Sequence, residues 1–275
     1  MERGVDHGVK FGLDLPVAEL KRFIGMIRLH NIHKSFDQHH VLKGISAKFL
    51  TGKVNYVIGR SGSGKSVLTK CTVGLIEPNQ GHVTYDNRNF TAMSRKERKS
   101  IRQEIGMLFQ GGALFDSMTV LENVQFPLRM FSDLSPAGIQ ERAMDCLRRV
   151  ELEDAAGRLP SEISGGMQKR VGIARAISMN PKYLFCDEPN SGLDPQTAIV
   201  IDNLIKDITR EYDMTTVVVS HDMNSVMEAS DTIHFVHEGQ ILWHGDRHQL
   251  LAGGVQELEE FVFASDLMRT IRTNN

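Results

Sequence analysis

A chain of 275 residues, 41% hydrophobic and 24% charged, can bury a full core without disulfide or metal staples, and its length leaves open one large domain or two small ones. A formal net charge of −2 offers no global basic field for nucleic acid, and Cys71, Cys146 and Cys186 stand too far apart for a Cys-X-X-Cys pair, which fits a reducing compartment. No run approaches the roughly 18 apolar residues of a membrane span, and the start lacks the sections of a signal peptide, so membrane association is expected only through a partner.

Residues 1–25, with an amphipathic piece from Val17 to Ile24, read as an N-terminal appendage or as a start codon assigned too early. Period-two alternation then predicts a strand over Met26–Phe36, followed by strands at Val41–Leu50, Lys53–Ile58 and Gly81–Tyr85. Residues 93–158 are mostly helical in pattern, with Ser94 as a cap and Pro136 in the first turn of a helix running to Val150. Lys182–Cys186 and Thr215–Ser220 are short apolar runs that predict core strands, with helical spacing from Pro195 to Tyr212 between them. Such alternation implies an α/β fold on a mostly parallel sheet, interrupted by an inserted helical subdomain.

The run Gly59-Arg60-Ser61-Gly62-Ser63-Gly64-Lys65-Ser66 fits the P-loop pattern, placed between an apolar strand and a helix that continues with Val67. Its glycines let backbone amides turn inward around a phosphate, and the helix start adds its positive end. Lys65 would reach the β- and γ-phosphates, and the Ser66 hydroxyl would ligate Mg²⁺. Tyr183-Leu184-Phe185-Cys186-Asp187-Glu188 is a buried strand ending in two carboxylates, which alternation sends opposite ways. Asp187 fits the Mg²⁺ ligand, directly or through water, and Glu188 the base that polarises attacking water; in isolation the pair would as readily cap a turn before Pro189. Ser164-Gly165-Gly166 opens a further helix and forms either a plain N-cap or a second phosphate nest. One chain with two nests makes sense if the second serves another copy. Gln110 ends an apolar strand where an amide could touch Mg²⁺ and the water, and His221 closes another strand at the carboxyl edge of the sheet.

This ordered set resembles the ATP-binding cassette family over residues 27–245, completed by Ser191-Gly192-Leu193-Asp194. The resemblance implies a RecA-like P-loop NTPase cassette over 26–245, with an antiparallel β edge, a helical subdomain at about 93–168 and a C-terminal helical tail at 246–275. It gives Gln110 the Q-loop role, His221 the switch role against the γ-phosphate, Asp194 a place at the dimer seam, Ser164 to Gly166 the signature role over the facing copy's ATP, and Phe36 the adenine-stacking role. Met167, where the family usually has Gln, and Phe36, where Tyr is commoner, are departures that remove no phosphate ligand and no base. The implied machine is a homodimeric ATPase using ATP and Mg²⁺, cytoplasmic, and peripheral on the inner face of the cell membrane through an integral permease.

A narrower resemblance lies in residues 111–120 (GGALFDSMTV), similar to the ATPases of Mla-type systems that move phospholipid between bacterial membranes. It implies an MCE-domain lipid-binding protein and a STAS-domain regulator as partners. The residues alone show an apolar loop, Ala113 to Phe115 with Val120 and Val124, that suits subdomain core or a permease contact. An ordinary importer ATPase for an amino acid or ion shares every catalytic motif. A soluble repair, chromosome or translation ATPase would carry long coiled-coil insertions or a second cassette. The basic run Arg95–Arg102, interleaved with Glu97, reads as a solvated helix face, and the scattered histidines, such as His30, His33, His234 and His244, form no metal constellation. The tail Gln256–Ile271 has amphipathic spacing, for docking on its own domain or on a neighbour.

Overall fold

The computed structural model describes residues 26–264; the appendage 1–25 and the tail positions Leu267, Met268 and Ile271 lie outside them. Two sheets form the frame. In the first, β1 (Ile27–Phe36) pairs antiparallel with β2 (His39–Phe49) and with β4 (Gln80–Tyr85), and a two-residue β5 (Arg88–Asn89) closes the order β2-β1-β4-β5. In the second, β3 (Val54–Ile58), β6 (Ile105–Leu108), β7 (Tyr183–Asp187), β8 (Thr215–Val219) and β9 (Thr232–His237) run parallel, with β10 (Gln240–Gly245) antiparallel at the edge. Its order is β10-β9-β3-β8-β7-β6.

Both faces of the parallel sheet are covered, which is why its strands read as unbroken apolar runs rather than as alternating ones. On β7, Tyr183 and Phe185 pack toward the antiparallel sheet with Ile27, Phe49 and Tyr85. Leu184 and Cys186 face the opposite cluster, with Ile173, Ile201 and Val226 from the helices. The P-loop helix α1 (Lys65–Thr72) lies between β3 and β4 in sequence, and Leu68 and Cys71 enter the first cluster.

The expected helical block does not start at 93. Helix α2 (Arg95–Gln103), opened by a Ser94–Glu97 capping box, leads directly into β6, which pairs with β7 and so belongs to the sheet. Helices α3 (Val120–Phe131), α4 (Pro136–Arg149) and α5 (Gly165–Ile177) then pack on one another, and α5 also on β6. Nor does the block end at 168, because nothing breaks α5 before Ser178. The apolar strand expected to end at Gln110 is observed as β6, and its pairing with β7 places it in the sheet rather than in the helical block.

The loop 111–119 divides its apolar residues. Val120 and Val124 are fully buried, Leu114 packs against the core, and Ala113 and Phe115 are exposed. Asn123, with no exposed surface, clamps the loop: its amide nitrogen donates to the carbonyls of Phe115 (3.1 Å), Met118 (3.1 Å) and Thr119 (3.0 Å), and its oxygen accepts from the Phe115 amide at 2.8 Å. Asn123→Ala would strand these backbone groups, at about 1 kcal/mol for each bond lost. The expected result is a lower denaturation midpoint together with faster amide exchange across 115–119.

The end of the chain closes the core. Helix α6 (Pro195–Glu211) follows β7, and α7 (Met223–Ala229) connects β8 to β9. After β10 come α8 (Arg247–Ala252) and α9 (Gln256–Val262); Leu258 and Val262 of α9 are buried in the helical-side cluster, and Phe261 lies 5.4 Å from Phe235. The described part of the tail therefore docks on its own domain. Among the described residues no helix is long and apolar enough to cross a membrane.

Candidate active site

Strand order assembles the site. In an open parallel sheet ligands gather beyond the carboxyl ends of the strands, and the order β3-β8-β7-β6 sets four loops side by side there. They are the glycine-rich loop after β3, Ser220–His221 after β8, Asp187–Glu188 at the end of β7, and Phe109–Gln110 after β6.

The loop 59–64 turns tightly. Gly59 has φ 149°, and a Cβ there would stand 2.2 Å from the Val236 carbonyl oxygen of β9. Gly62 and Gly64 also have positive φ, 78° and 108°, conformations that L side chains rarely adopt. Lys65 is 7% exposed, and its Nζ donates to the Gly59 carbonyl at 2.7 Å and the Arg60 carbonyl at 3.0 Å. Burial pulls its pKa down, opposed by the charges of Glu188 and Asp187. Ser61 and Gly62 are exposed, as is Ser66 in the first turn of α1, with Val67 half-buried behind it. The Ser63 Oγ is buried with no partner among the described residues. The Arg60 guanidinium points toward Glu260 of α9 at 3.8 Å; both side chains are more than half exposed, so the pair contributes little.

Asp187 and Glu188 have separate surroundings, as strand alternation requires. Asp187 Oδ1 is buried without a hydrogen-bond partner among the described residues. Burial pushes its carboxyl pKa up, and the neighbouring Glu188 charge adds to this. A buried acceptor that feels the charge of Lys65, on the same sheet edge as the exposed Ser66, suits a hard cation whose other ligands are phosphate oxygens and water. Glu188 adopts the left-handed conformation, φ 48°, with its amide donating to the Val219 carbonyl at 2.9 Å. Its Oε1 lies 2.8 Å from Nδ1 of His221, so the two residues from β7 and β8 meet directly. A non-glycine residue held at positive φ is a cost that surrounding structure must sustain.

Gln110 is exposed in the turn after β6, and its backbone carbonyl accepts a hydrogen bond from Lys169 Nζ. Lys169 is the functional residue that sequence reasoning misses. It lies on α5, is 6% exposed, and also donates to the Glu188 carbonyl at 3.4 Å, so one ammonium grips two of the site's loops. Burial lowers its pKa, while Cys186, Glu188 and Asp187 oppose the shift. A lysine within a basic helical run looks like surface in sequence, and only burial distinguishes it. Lys169→Met would leave both carbonyls without this donor; turnover falling by about tenfold, with faster exchange across 109–113, is the expected outcome.

At the start of α5, Ser164 caps the helix by accepting from the Met167 amide at 3.3 Å, and Ser164 and Gly165 are exposed. Gly166 is buried, and a Cβ on it would meet Thr197 Cγ2 at 2.5 Å, so only glycine fits against α6. Asp194 caps α6 by accepting from the Gln196 and Thr197 amides and from the Thr197 hydroxyl, which hold its carboxyl below the usual range. Gln168 does not replace the missing Gln at 167: its amide donates to the Pro160 carbonyl at 2.9 Å, while Met167 packs against the core. Phe36, 44% exposed at the end of β1, carries the Lys34 ammonium 5.1 Å from its ring centroid.

A glycine-rich phosphate loop, a two-acid strand end and a histidine on the next strand, with a helical insertion between them, define a P-loop nucleotide-binding cassette. A family description for ABC transporters matches residues 42–191, more than half of the chain, and the chain belongs to the ABC transporter family. It is 41% identical to the methionine import ATP-binding protein of Desulfitobacterium hafniense (strain Y51) over 80% of this chain and 66% of that protein, just under two thirds of the relative's length. It is 32% identical to the corresponding protein of Clostridioides difficile (strain 630), over 90% of this chain and 77% of the other. A ribonucleotide transport ATP-binding protein of Mycobacterium leprae (strain TN) shares 35% identity over 86% and 68%. Among solved structures, a dimeric ATP-binding cassette in a post-hydrolysis state with ADP and Pi bound superposes with a TM-score of 0.73 at 32% identity, covering 80% of this chain and 98% of that one. The cassette cbiO1 of Clostridium perfringens, part of an ABC transporter complex, gives 0.78 at 28% identity over 90% and 98%.

Proposed function

We propose that the chain is the ATP-hydrolysing subunit of an ABC transporter, working as a homodimer beneath an integral membrane permease. The observation that supports this best is the row of four loops on one sheet edge, with Glu188 and His221 in contact at 2.8 Å. ATP is the substrate. The amides of loop 59–66 and the Lys65 ammonium bind its phosphates, and Phe36 offers its exposed face to the base. Ser66, Asp187 and Gln110 are the residues that would hold Mg²⁺, which when bound neutralises phosphate charge. Glu188 accepts the proton of the attacking water, and His221 orients the Glu188 carboxylate and contacts the γ-phosphate. Ser164 and Gly165, exposed at the start of α5, together with the buried Gly166 packed on α6, serve the nucleotide of the facing copy. The relative solved as a dimer with ADP and Pi supports that arrangement.

The exposed aromatic residues Phe109 and Phe115, on the loop tied to α5 by Arg175 (2.7 Å to the carbonyls of both Gly112 and Ala113), form the surface offered to the permease. For cargo, the methionine-import relatives favour a small solute such as an amino acid. A second reading, phospholipid transport with MCE- and STAS-domain partners, rests on residues 111–120 and on Met167. The permease complex in vesicles separates the two. Uptake of labelled methionine without transfer of labelled phospholipid supports import; lipid transfer without uptake overturns it.

A further inference from the structure

One buried polar network is not used by the chemistry above. Asp202, on the inner face of α6, is 2% exposed among the apolar residues of the helical-side cluster, near Ile201, Ile205 and Val226. Its Oδ1 accepts from the Asn190 amide nitrogen at 2.8 Å and from the Tyr56 hydroxyl of β3 at 3.4 Å. The same Asn190 nitrogen donates to Ser225 Oγ at 2.8 Å, and Ser225 donates to Asp222 Oδ2 at 3.1 Å. Asp222 is the cap of α7 and adjoins His221. Asn190 lies two residues beyond Glu188, and its own oxygen is buried without a partner among the described residues. A single amide group, braced by one buried carboxyl, therefore joins the loop after β7 to the loop after β8.

Stability is a poor account of this arrangement. A carboxyl in an apolar cluster is costly to bury, and exchanging it for a packed aliphatic residue is often neutral or stabilising. What the network does define is relative position. Glu188 and His221 follow different strands, and their 2.8 Å contact depends on two loops keeping register.

We infer that Asp202 is a positioning residue, which through Asn190 and Ser225 locks the Glu188 loop to the His221 loop. This rests on the proposed roles of Glu188 and His221. Misplacing a catalytic group slightly lowers the chemical step far more than it lowers substrate binding.

The test compares Asp202→Leu, Asn190→Leu, the double variant, Asp202→Asn and Glu188→Gln, each as the full chain in complex with its permease. Asp202→Leu and Asn190→Leu are each expected to lower kcat about tenfold, with the ATP KM within about twofold. The double variant is expected to lose no more than either single one, because both break one connection. Asp202→Asn keeps an accepting oxygen and is expected to restore most of the turnover. Amide exchange in the full chain should rise in 188–194 and 221–227 together in Asp202→Leu, with the melting temperature unchanged. Unaltered kcat in both single variants, multiplying losses in the double, or faster exchange in only one loop would overturn the inference. If Glu188→Gln retains turnover, the base assignment fails, and the paired exchange still decides whether the lock exists. If Glu188→Gln abolishes turnover and Asp202→Leu changes neither rate nor exchange, the base stands and the lock is wrong.

Discussion

Glu188→Gln is expected to lower ATP turnover by about 10²–10⁴-fold, the usual cost of losing a positioned base, while ATP binding stays within a few-fold. The amide has the carboxylate's shape and can keep the 2.8 Å contact with His221. It is also expected to leave the backbone at this residue, φ 48° in the native chain, unchanged. What it cannot do is accept the water's proton. Steady-state turnover of the permease complex and nucleotide binding to the same preparation separate these effects. Turnover near the native value would move the base to another group. A loss of binding as well would instead mean that Glu188 helps to hold the phosphates, a role its position beyond the end of β7 does not suggest.

Lys65→Met should act on binding and on rate together. The ammonium is buried, donates to two carbonyls of its own loop, and is the loop's one cation turned inward, since Arg60 reaches toward Glu260. Removing it takes away a charge-assisted contact to phosphate and also two internal bonds that shape the loop. Truncating one member of a desolvated charge pair costs about 2–5 kcal/mol, so ATP affinity should fall by about 10²-fold or more, with turnover falling further. A nucleotide titration followed by calorimetry measures the first effect. Near-native affinity would show that the backbone amides alone hold the phosphates.

Local chemistry made much of the molecule legible in the sequence. Gly59 to Ser66 could be read as a phosphate loop from its glycine spacing and a lysine before a helix, and the structure holds three of its glycines at positive φ. Strand alternation alone sends Asp187 and Glu188 opposite ways, the P-loop upstream suggests their roles, and the structure gives one an orphaned buried oxygen and the other a histidine partner. The parallel core was readable from unbroken apolar runs, as was the capping of α2 by Ser94.

Other features depend on partners distant in sequence, and local pattern holds no trace of these. The apolar strand ending at Gln110 was legible, but the helical pattern read over 93–158 ran across it, and only pairing with β7 shows that it belongs to the parallel sheet. Nothing local distinguishes Lys169 from neighbouring surface cations; α5 packing against β6 buries its ammonium between two carbonyls. Gln168 adjoins the signature position held by Met167 but faces the preceding turn, since a shift of one residue on a helix rotates a side chain by about 100°. The amphipathic tail could have suited any apolar surface; burial of Leu258 and Val262 settles that the part described here uses its own domain. By itself the sequence determined which groups could perform phosphate chemistry, because residue type and close spacing decide that. Only the tertiary structure decided which of them meet, because strand order and helix packing set distances that no local spacing contains.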